Sequence, residues 1–427
     1  MPANTRPRTA SILAIGDELV LGQRLDTNSQ HISDQLFAHA VRIVEHATVA
    51  DDLGHITRAI RRLASEADML IITGGLGPTQ DDLTRQALAS ALGEHLEEDP
   101  KALKRLERFF AGANRPMPES NRVQTLRPAS SRSLRNAHGT APGLASHLGA
   151  CAIYCLPGPP SEMRPMFQRE VLDTFRDGDE HTFIRILKCV GLAEAIIAGR
   201  LDDLMRRDRD ILVGTTASDG IISIRIRGED TTSQEDVEQV VAEVRSRLGS
   251  YIYADTDISI AEHVLSTLRA RSQTLATAES CTGGMVASWV TDIPGSSDTM
   301  LGGWVTYTNQ MKQEHLGVPQ SVFEEHGAVS RQCVGHMARG ARVRADASHA
   351  IAISGIAGPA GGSDDKPVGT VWIAHANERD VIDSRLFRFS GDRAQIRKRA
   401  TSSALAMLRQ NIEGITDAPL LWQRDSE

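Results

Sequence analysis

Short apolar runs alternate along this chain with stretches in which apolar residues recur at helical spacing. Within residues 10–170, apolar runs predict strands at residues 10–15, 41–49, 69–73 and 150–156. Helical periodicity fills the intervals, up to residue 36, over residues 56–64 and 83–92, and from residue 161 onward. This alternation predicts an α/β domain whose parallel sheet carries helices on both faces.

Residues 178–252 show a different order of elements. Strands are predicted at residues 184–190 and 221–227, and helices at residues 193–205 and 236–248. This order predicts a small α+β unit, which could be KH-like. The G-x-x-G loop with which KH domains clamp nucleotides is missing. We therefore interpret the unit as a structural connector.

The α/β alternation resumes at residue 257. Apolar runs predict strands at residues 274–277, 303–306, 350–354 and 368–374. Helical spacing predicts helices at residues 261–270 and 283–290, from residue 309, and at residues 394–412. A chain of 427 residues exceeds what one hydrophobic core usually organises. We predict three domains, at residues 9–172, 178–252 and 257–416.

The amino-acid composition limits the kinds of partner that we expect for this protein. With 41% apolar and 24% charged residues, the chain has the balance of a soluble globular protein. Its net charge of −8 argues against a direct nucleic-acid partner, because such binding depends on neutralising phosphates. The five cysteines are scattered without a C-x-x-C motif, which predicts a reduced cytoplasmic protein without disulfides or structural zinc. Residues 1–8 contain no signal-peptide core, and no apolar run reaches membrane-spanning length, so we expect no membrane partner.

The first candidate site combines glycines with acidic residues. The segment T-G-G-L-G-P-T-Q-D-D-L-T, residues 73–84, predicts a strand, a glycine turn and a helix start that can present N–H groups to phosphate. Asp81 and Asp82 are placed to bind a hard cation shared with that phosphate, although a helix cap is the alternative. Glu18 and Asn28 follow the first strand, and residues 157–162 follow another. All should meet at one sheet edge. The predicted ligand contacts are Gly74, Gly75, Gly77, Thr79 and Asn28, and the predicted metal ligands are Asp81, Asp82 and Glu18.

The second candidate site centres on a serine. In L-A-T-A-E-S-C-T-G-G, residues 275–284, Ser280 follows a strand, and the amides of Thr282, Gly283 and Gly284 could form an oxyanion hole. The alternative role for Ser280 is a helix N-cap. Cys281 is a competing nucleophile, but no histidine lies nearby in sequence to activate it.

The motif W-V-T-Y-T-N-Q-M-K, residues 304–312, supplies partners for this serine. Lys312 lies near the start of a helix for which Asn309 is a plausible cap, and the helix dipole would lower the lysine pKa. Lys312 could then serve as a base while Tyr307 relays or donates a proton. The alternative is a surface lysine beside a core tyrosine. The loop at residues 354–362, with Ser354, Gly355 and Gly358, is our candidate for binding a phosphate.

Three N-terminal motifs carry a first resemblance. G-D-E-L-x-x-G-x-x-x-D-T-N, T-G-G-L-G-P-T-x-D-D-L-T and L-P-G-P-P-S-E-M resemble the N-terminal domain of CinA proteins, over about residues 10–170. That domain is similar to the molybdopterin-binding fold of MoaB and MogA. In active members, the resemblance implies a pyrophosphatase that cleaves ADP-ribose with a divalent metal such as Mg²⁺. The alternative is a domain that only binds a pterin-like phosphate ligand.

The C-terminal motifs carry a second resemblance. A-E-S-C-T-G-G, V-T-Y-x-N-x-x-K, G-A-V-S, I-S-G-I-A-G-P and V-G-T-V-W-I-A resemble the CinA C-terminal domain, also found alone as PncC, over about residues 258–415. The resemblance implies deamidation of nicotinamide mononucleotide to nicotinate mononucleotide and ammonia, in pyridine-nucleotide salvage. It implies Ser280, Tyr307 and Lys312 as the catalytic set, without a cofactor. One departure is Ala360, where members commonly have Gly, since Ala tolerates a positive φ poorly.

Two expectations concern partners. We expect a homodimer, which the sequence itself does not establish. The competence-linked name of the family suggests a function of another class, that of a non-catalytic partner protein in DNA uptake or recombination.

Overall fold

A computed structural model describes residues 9–39, 41–112, 114–175, 183–228 and 232–424. The chain divides into two compact units, Met1–Thr182 and Phe183–Glu427. The expectation about residues 1–8 and the proposed domain boundary at residue 178 lie outside the described residues. None of the helices described there is long and apolar enough to cross a membrane.

A six-stranded sheet forms the centre of the first unit. The strands of this unit are β1 (Thr9–Ile15), β2 (Arg42–Val49), β3 (Met69–Thr73), β4 (Leu96–Glu98), β5 (Leu126–Pro128), β6 (Arg132–Leu134), β7 (Gly143–Leu148) and β8 (Cys151–Leu156). The sheet order is β2-β1-β3-β8-β7-β6, and β4 pairs with β5. Strands β2, β1, β3 and β8 are parallel, which confirms the predicted parallel sheet. Strands β7 and β6 extend it antiparallel, which the sequence did not predict.

Helices cover both faces of this sheet, because successive side chains of a strand point to opposite sides. The helices are α1 (Asp17–Val20), α2 (Thr27–Ala38), α3 (Leu53–Glu66), α4 (Thr84–Leu92), α5 (Pro100–Gly112) and α6 (Pro160–Glu170). Leu13 and Ile15 of β1 belong to the hydrophobic cluster with α3 and α4. Ile12 belongs to the cluster on the other face, with α2 and α6.

The second unit begins with a small antiparallel sheet. Its elements are β9 (Ile184–Val190), α7 (Glu194–Arg200), β10 (Ile211–Ser218), β11 (Ile221–Gly228), α8 (Gln234–Leu248) and β12 (Ile252–Ala254). The sheet order is β10-β11-β9-β12, and α8 packs against it. Strand β10 was not predicted, because its half-exposed residues give no clear alternation. The α+β character of this segment is confirmed.

The rest of the second unit is an α/β domain. Its strands are β13 (Leu275–Glu279), β14 (Met300–Val305), β15 (His349–Gly355), β16 (Thr370–Asn377), β17 (Ile382–Arg388) and β18 (Gln423–Arg424). Its helices are α9 (Ile260–Ala270), α10 (Met285–Thr291), α11 (Asn309–Leu316), α12 (Gln320–Glu325), α13 (Arg331–Ala345) and α14 (Arg393–Glu413). The sheet order is β14-β13-β15-β16-β17-β18, with the first three strands parallel and the others antiparallel. Helix α13, rich in arginine and glycine, was not predicted.

The three parallel strands end together at one edge of this sheet. The N–H of Ser280, just after β13, donates to the carbonyl of Ile353 in β15 at 3.0 Å. The N–H of Thr306, just after β14, donates to the carbonyl of Glu279 at 2.9 Å. This ladder brings the segments that follow β13, β14 and β15 together, which is where the sequence places its second site.

Candidate active sites

Ser280 and Lys312 form a buried pair at the carboxyl edge of the C-terminal sheet. Lys312 Nζ lies 3.2 Å from Ser280 Oγ. The two residues are 1% (Lys312) and 8% (Ser280) exposed, so the pair is shielded from bulk water. Ser280 lies in the turn between β13 and α10, and Lys312 projects from α11. The structure thus brings together two residues that lie 32 positions apart in the sequence.

The Lys312 amine is held by uncharged oxygen atoms. Its Nζ donates to the carbonyl oxygens of Thr306 at 2.9 Å and Tyr307 at 3.3 Å. Within the described residues its hydrogen-bond partners are these carbonyls and the Ser280 hydroxyl, and no carboxylate is among them. Burial lowers the pKa of Lys312 below its ordinary value. A neutral amine can donate two N–H groups to the carbonyls and direct its lone pair at Ser280.

The start of α11 corrects one prediction. The N-cap is Thr308 and not Asn309, because the Thr308 side chain accepts the N–H of Met311 at 3.2 Å. Lys312 follows in the first turn of the helix. The partial positive charge at a helix start disfavours a further cation, so the helix acts on the lysine pKa in the same direction as burial.

The Tyr307 side chain contacts Arg393 and is exposed to solvent. Its side chain is 57% exposed, so it is not the core tyrosine of the alternative interpretation. Its hydroxyl accepts a hydrogen bond from Arg393 Nη2 at 2.9 Å. The structure links Tyr307 to Lys312 only through the Tyr307 carbonyl, among the hydrogen bonds of the described residues. The tyrosine ring therefore lies at the rim of the site.

The turn after Ser280 depends on two consecutive glycines. Gly283 and Gly284 have φ values of 63° and 90°, which favour glycine. The N–H of Gly283 donates to the Ser280 carbonyl at 3.1 Å, so this amide is not free for an oxyanion, contrary to the prediction. The amides of Thr282 and Gly284 have no such partner among the described residues. These two remain as candidate oxyanion donors.

Glu279 supports this turn, although it was not predicted as a site residue. The residue is fully buried, and its carboxylate accepts the N–H groups of Val286 at 3.1 Å and Ala287 at 2.9 Å. It thereby caps the start of α10 from the preceding strand, where a negative charge complements the helix dipole. Ser280 itself is not a helix cap, because Gly284 holds the N-cap position.

Cys281 does not face the site as a nucleophile. Its side chain is 5% exposed and belongs to the hydrophobic core between the sheet and α14. Burial raises the pKa of Cys281 to about 12, so the thiol stays protonated near neutral pH. This geometry favours Ser280.

The phosphate candidate loop is anchored by an arginine that was not predicted as a site residue. Ser354 Oγ donates to the Ala328 carbonyl at 2.7 Å, so this hydroxyl is already used in the fold. Gly355 lies so close to β16 that a Cβ atom there would approach Val371 Cγ2 to 2.6 Å. Arg393 donates to the Gly358 carbonyl at 2.8 Å and joins the loop to the rim. Ala360, for which strain was expected, does not have a positive φ.

A second arginine stands one helical turn further along α14. Arg397 Nη2 donates to the Thr282 carbonyl at 2.7 Å. The hydrogen-bond partners of Arg393 and Arg397 are carbonyls and a hydroxyl, and neither arginine forms an ion pair within the described part of the chain. The Oγ1 atoms of Thr282 and Thr306 are buried without a partner there. Unpaired cations beside unsatisfied hydroxyls suit a polar, anionic ligand.

The N-terminal candidate residues other than Thr79 line a single cleft of about 870 Å³. Segments after β1, β3 and β8 all contribute, so the predicted convergence is found. Asn28 Nδ2 donates to the Gly158 carbonyl at 2.7 Å, and Asn28 Oδ1 is buried without a partner among the described residues. The predicted residues that line this cleft are Glu18, Asn28, Gly74, Gly75, Gly77, Asp81 and Asp82.

The glycine loop is held by Asp82. Its carboxylate accepts the N–H groups of Gly77 at 2.6 Å and Thr79 at 2.9 Å, together with the Thr79 hydroxyl. The amides of Gly77 and Thr79 therefore face Asp82, contrary to the prediction that they hold phosphate. Asp81 is not a helix cap, because α4 begins after Leu83. Gly74 and Gly75 have φ values of 98° and 64°, as the turn requires.

Several carboxylates meet at the mouth of this cleft. Asp51 lines it, and its carboxylate accepts the N–H of Asp17 at 2.8 Å, while the N–H of Asp51 donates to the Asp17 carboxylate at 3.1 Å. Burial raises the pKa of Asp51, and the neighbouring charges of Asp17, Asp81 and Glu18 act in the same direction. Asp51 was not predicted as a site residue, because it adjoins the cleft only through the fold.

These carboxylates fit a hard divalent cation by charge and donor type. Within the described residues no cluster of three candidate ligands is already assembled. Mg²⁺ often takes only one or two carboxylates and completes its shell with water and phosphate oxygens. Asp51, Asp81 and Glu18 are the available donors, while Asp82 is occupied by its own loop.

Three family models match the chain. "Probable molybdopterin binding domain" matches residues 11–177, "Damage-inducible protein CinA KH domain" residues 184–254, and "CinA C-terminal domain" residues 257–412. The first and third matches confirm the two resemblances, and the second confirms the KH-like connector.

Relatives match over nearly their whole length. A CinA-like protein of Geobacter sulfurreducens is 41% identical over 407 residues, covering 94% of this chain and 98% of that protein. A CinA-like protein of Dictyoglomus thermophilum is 37% identical, with the same coverage. The crystal structure of the competence/damage inducible protein CihA from Agrobacterium tumefaciens has 39% identity and a TM-score of 0.35, covering 36% of this chain and 93% of that one.

Proposed function

This chain belongs to the CinA family, and from that premise we propose that its C-terminal domain is an amidohydrolase for nicotinamide mononucleotide. The products are nicotinate mononucleotide and ammonia. The observation that carries the proposal is the buried contact of 3.2 Å between Lys312 Nζ and Ser280 Oγ. A serine beside a lysine of lowered pKa is a nucleophile beside its base.

The first half of the reaction forms an acyl-enzyme. Ser280 Oγ attacks the carboxamide carbon, and neutral Lys312 takes the hydroxyl proton. The amides of Thr282 and Gly284 stabilise the negative charge that develops on the carbonyl oxygen. When the carbon–nitrogen bond breaks, Lys312 returns the proton and ammonia leaves. In the second half, water attacks the ester, again with Lys312 as the base, and releases the carboxylate and Ser280.

This scheme assigns Tyr307 a revised role. The expected role was protonation of the leaving ammonia, but the Tyr307 hydroxyl is bonded to Arg393 at the rim. We propose that Tyr307 and Arg393 together bind the nucleotide. Arg393 and Arg397 supply the charge for its 5′-phosphate, next to the loop of Ser354, Gly355 and Gly358.

The direct test measures ammonia released from nicotinamide mononucleotide by the purified full chain. We predict that Ser280→Ala lowers kcat by at least about a thousand-fold, because the nucleophile is removed. Cys281→Ala is the matched control, since it changes the adjacent, core-facing residue. Cys281→Ala should keep most of the rate, and the reverse pattern would show that the serine mechanism is wrong. No ammonia from the wild type would favour the non-catalytic partner protein in competence or recombination.

We also propose a second activity, metal-dependent cleavage of ADP-ribose in the N-terminal cleft. Its support is the convergence of the glycine loop and the carboxylates of Glu18, Asp51 and Asp81 on one cleft. A bound divalent metal would neutralise the charge of the pyrophosphate. The carboxylates of Glu18, Asp51 and Asp81 would hold the metal. Asn28 and Gly74 would orient the ligand. The competing proposal, a pterin-like ligand without turnover, predicts binding but no cleavage.

Two further proposals concern the cellular compartment and the oligomeric state of the protein. All five cysteines are free and buried, which supports a reducing compartment such as the cytoplasm. We propose a homodimer, for which sedimentation of the purified chain is the test.

A further inference from the structure

A second cleft of the N-terminal unit, about 730 Å³ in volume, is lined by cations. Lys101, Lys104, Arg105 and Arg108 come from α5, and Arg135 follows β6. Among the described residues, no carboxylate lines this basic cleft. No ion pair within the described part of the chain involves any of these five cations.

The spacing of the cations makes the cleft unfavourable without a partner. Lys101, Lys104, Arg105 and Arg108 recur at three- and four-residue intervals, so they project from one face of α5. Like charges at this spacing destabilise a helix. The surface they line is concave, and Phe109, 47% exposed, forms part of its wall.

The basic cleft adjoins the cleft lined by Glu18, Asp51 and Asp81, which we call the acidic cleft. Thr140 lines both clefts. Asn136 lines the basic cleft, and its Nδ2 donates at 2.6 Å to Glu162 Oε2, which lines the acidic cleft. Two clefts of opposite charge thus share a rim.

We propose that the basic cleft binds a phosphorylated small molecule that carries at least two phosphate charges. The lysines and arginines bind the phosphate oxygens, and the Phe109 ring offers an apolar face on which an attached nucleobase can stack. The phosphates can belong to a free oligophosphate or to a nucleotide that crosses Thr140 into the acidic cleft. The proposal does not rest on either proposed enzymatic activity.

Calorimetric titration of the full chain with inorganic tripolyphosphate and with ADP tests the site. Lys104 and Arg108 are exposed, so the double variant Lys104→Gln/Arg108→Gln should fold normally. We expect it to weaken binding at least about ten-fold, because charge-assisted contacts are lost. The control Arg42→Gln/Arg58→Gln changes the net charge equally at two exposed residues that line neither cleft. It should bind as the wild type does.

A bulky substitution at the shared rim identifies the source of the phosphates. If Thr140→Phe weakens ADP but not tripolyphosphate, the site is occupied by a nucleotide that spans both clefts. If neither is affected, the ligand lies wholly within the basic cleft. Equal weakening by both double variants would overturn the proposal. Binding of a single-stranded oligonucleotide without binding of tripolyphosphate would overturn it too.

Discussion

The proposed reaction of the C-terminal site depends on the protonation state of the Lys312 side chain. Its amine must be uncharged to accept the Ser280 proton, and burial lowers its pKa. Because the neutral form grows as pH rises, kcat/KM of the wild type should increase with pH through an apparent pKa below the ordinary lysine value of about 10.4.

Lys312→Arg separates charge from basicity. The guanidinium keeps the positive charge but does not deprotonate in this pH range. We predict at least about a hundred-fold loss of kcat with binding of nicotinamide mononucleotide retained, measured by ammonia release and by calorimetry. Lys312→Met should lose the rate equally. Substantial activity in Lys312→Arg would mean that the lysine only stabilises charge and that another group is the base.

Arg393 gives the second prediction at this scale. It holds both the Tyr307 hydroxyl and the Gly358 carbonyl, and it lacks a carboxylate partner among the described residues. Arg393→Gln should therefore raise KM roughly ten- to a hundred-fold, through loss of a charged hydrogen bond to the phosphate. The effect on kcat should be smaller. Lys398→Gln, on the same helix, is the control. An equal rise in KM for Lys398→Gln would show that Arg393 has no special role in binding.

Single residues divide into those that motifs reveal and those that only the fold reveals. Ser280 and Lys312 stand in strand-end motifs, so the sequence indicates them. Asp51 and Arg393 come from elsewhere in the chain and reach their sites through tertiary contacts. The spacing of Arg393 and Arg397 was visible, but arginines at this spacing are common on exposed helix faces.

Elements whose apolar pattern is strong were predicted well. The buried strand β3 was predicted at its observed bounds, Met69–Thr73. Helix α13 and strand β7 were missed, because arginine, glycine, serine and histidine interrupt their apolar patterns. Their places are fixed by packing against neighbouring elements, which a pattern along the chain does not contain.

Helix α10 depends on a carboxylate that lies outside it. Glu279 accepts two N–H groups of its first turn and so fixes the turn that carries Ser280. Glu279→Gln places an amide N–H₂ against those donors. We predict a loss of about 1.5–3 kcal/mol in the free energy of unfolding, measured with urea, and a reduced kcat. Glu235→Gln, an exposed first-turn residue of α8, should change neither quantity. A stable Glu279→Gln protein would show that the cap is dispensable.

At the scale of the whole molecule, the two sites belong to different compact units. The described residues that line the N-terminal cleft all belong to Met1–Thr182, and the Ser280 site is built from residues of Phe183–Glu427. The alternation of elements predicted both α/β domains. The long-range pairing of strands, which adds antiparallel edges to both sheets, could not be read from local periodicity.

This division yields a last prediction, made on the full chain, that the two activities can be removed separately. Asp81→Asn takes a carboxylate from the metal candidates, and Asp82→Asn disturbs the loop that Asp82 holds, so each should lower ADP-ribose cleavage at least about ten-fold. Both should leave ammonia release unchanged, and Ser280→Ala should show the converse. A chelator should abolish only ADP-ribose cleavage, because Ser280 and Lys312 need no metal for acyl transfer. Inhibition of ammonia release by the chelator would contradict the metal-free mechanism, and loss of both activities in Asp82→Asn would show that the sites are coupled.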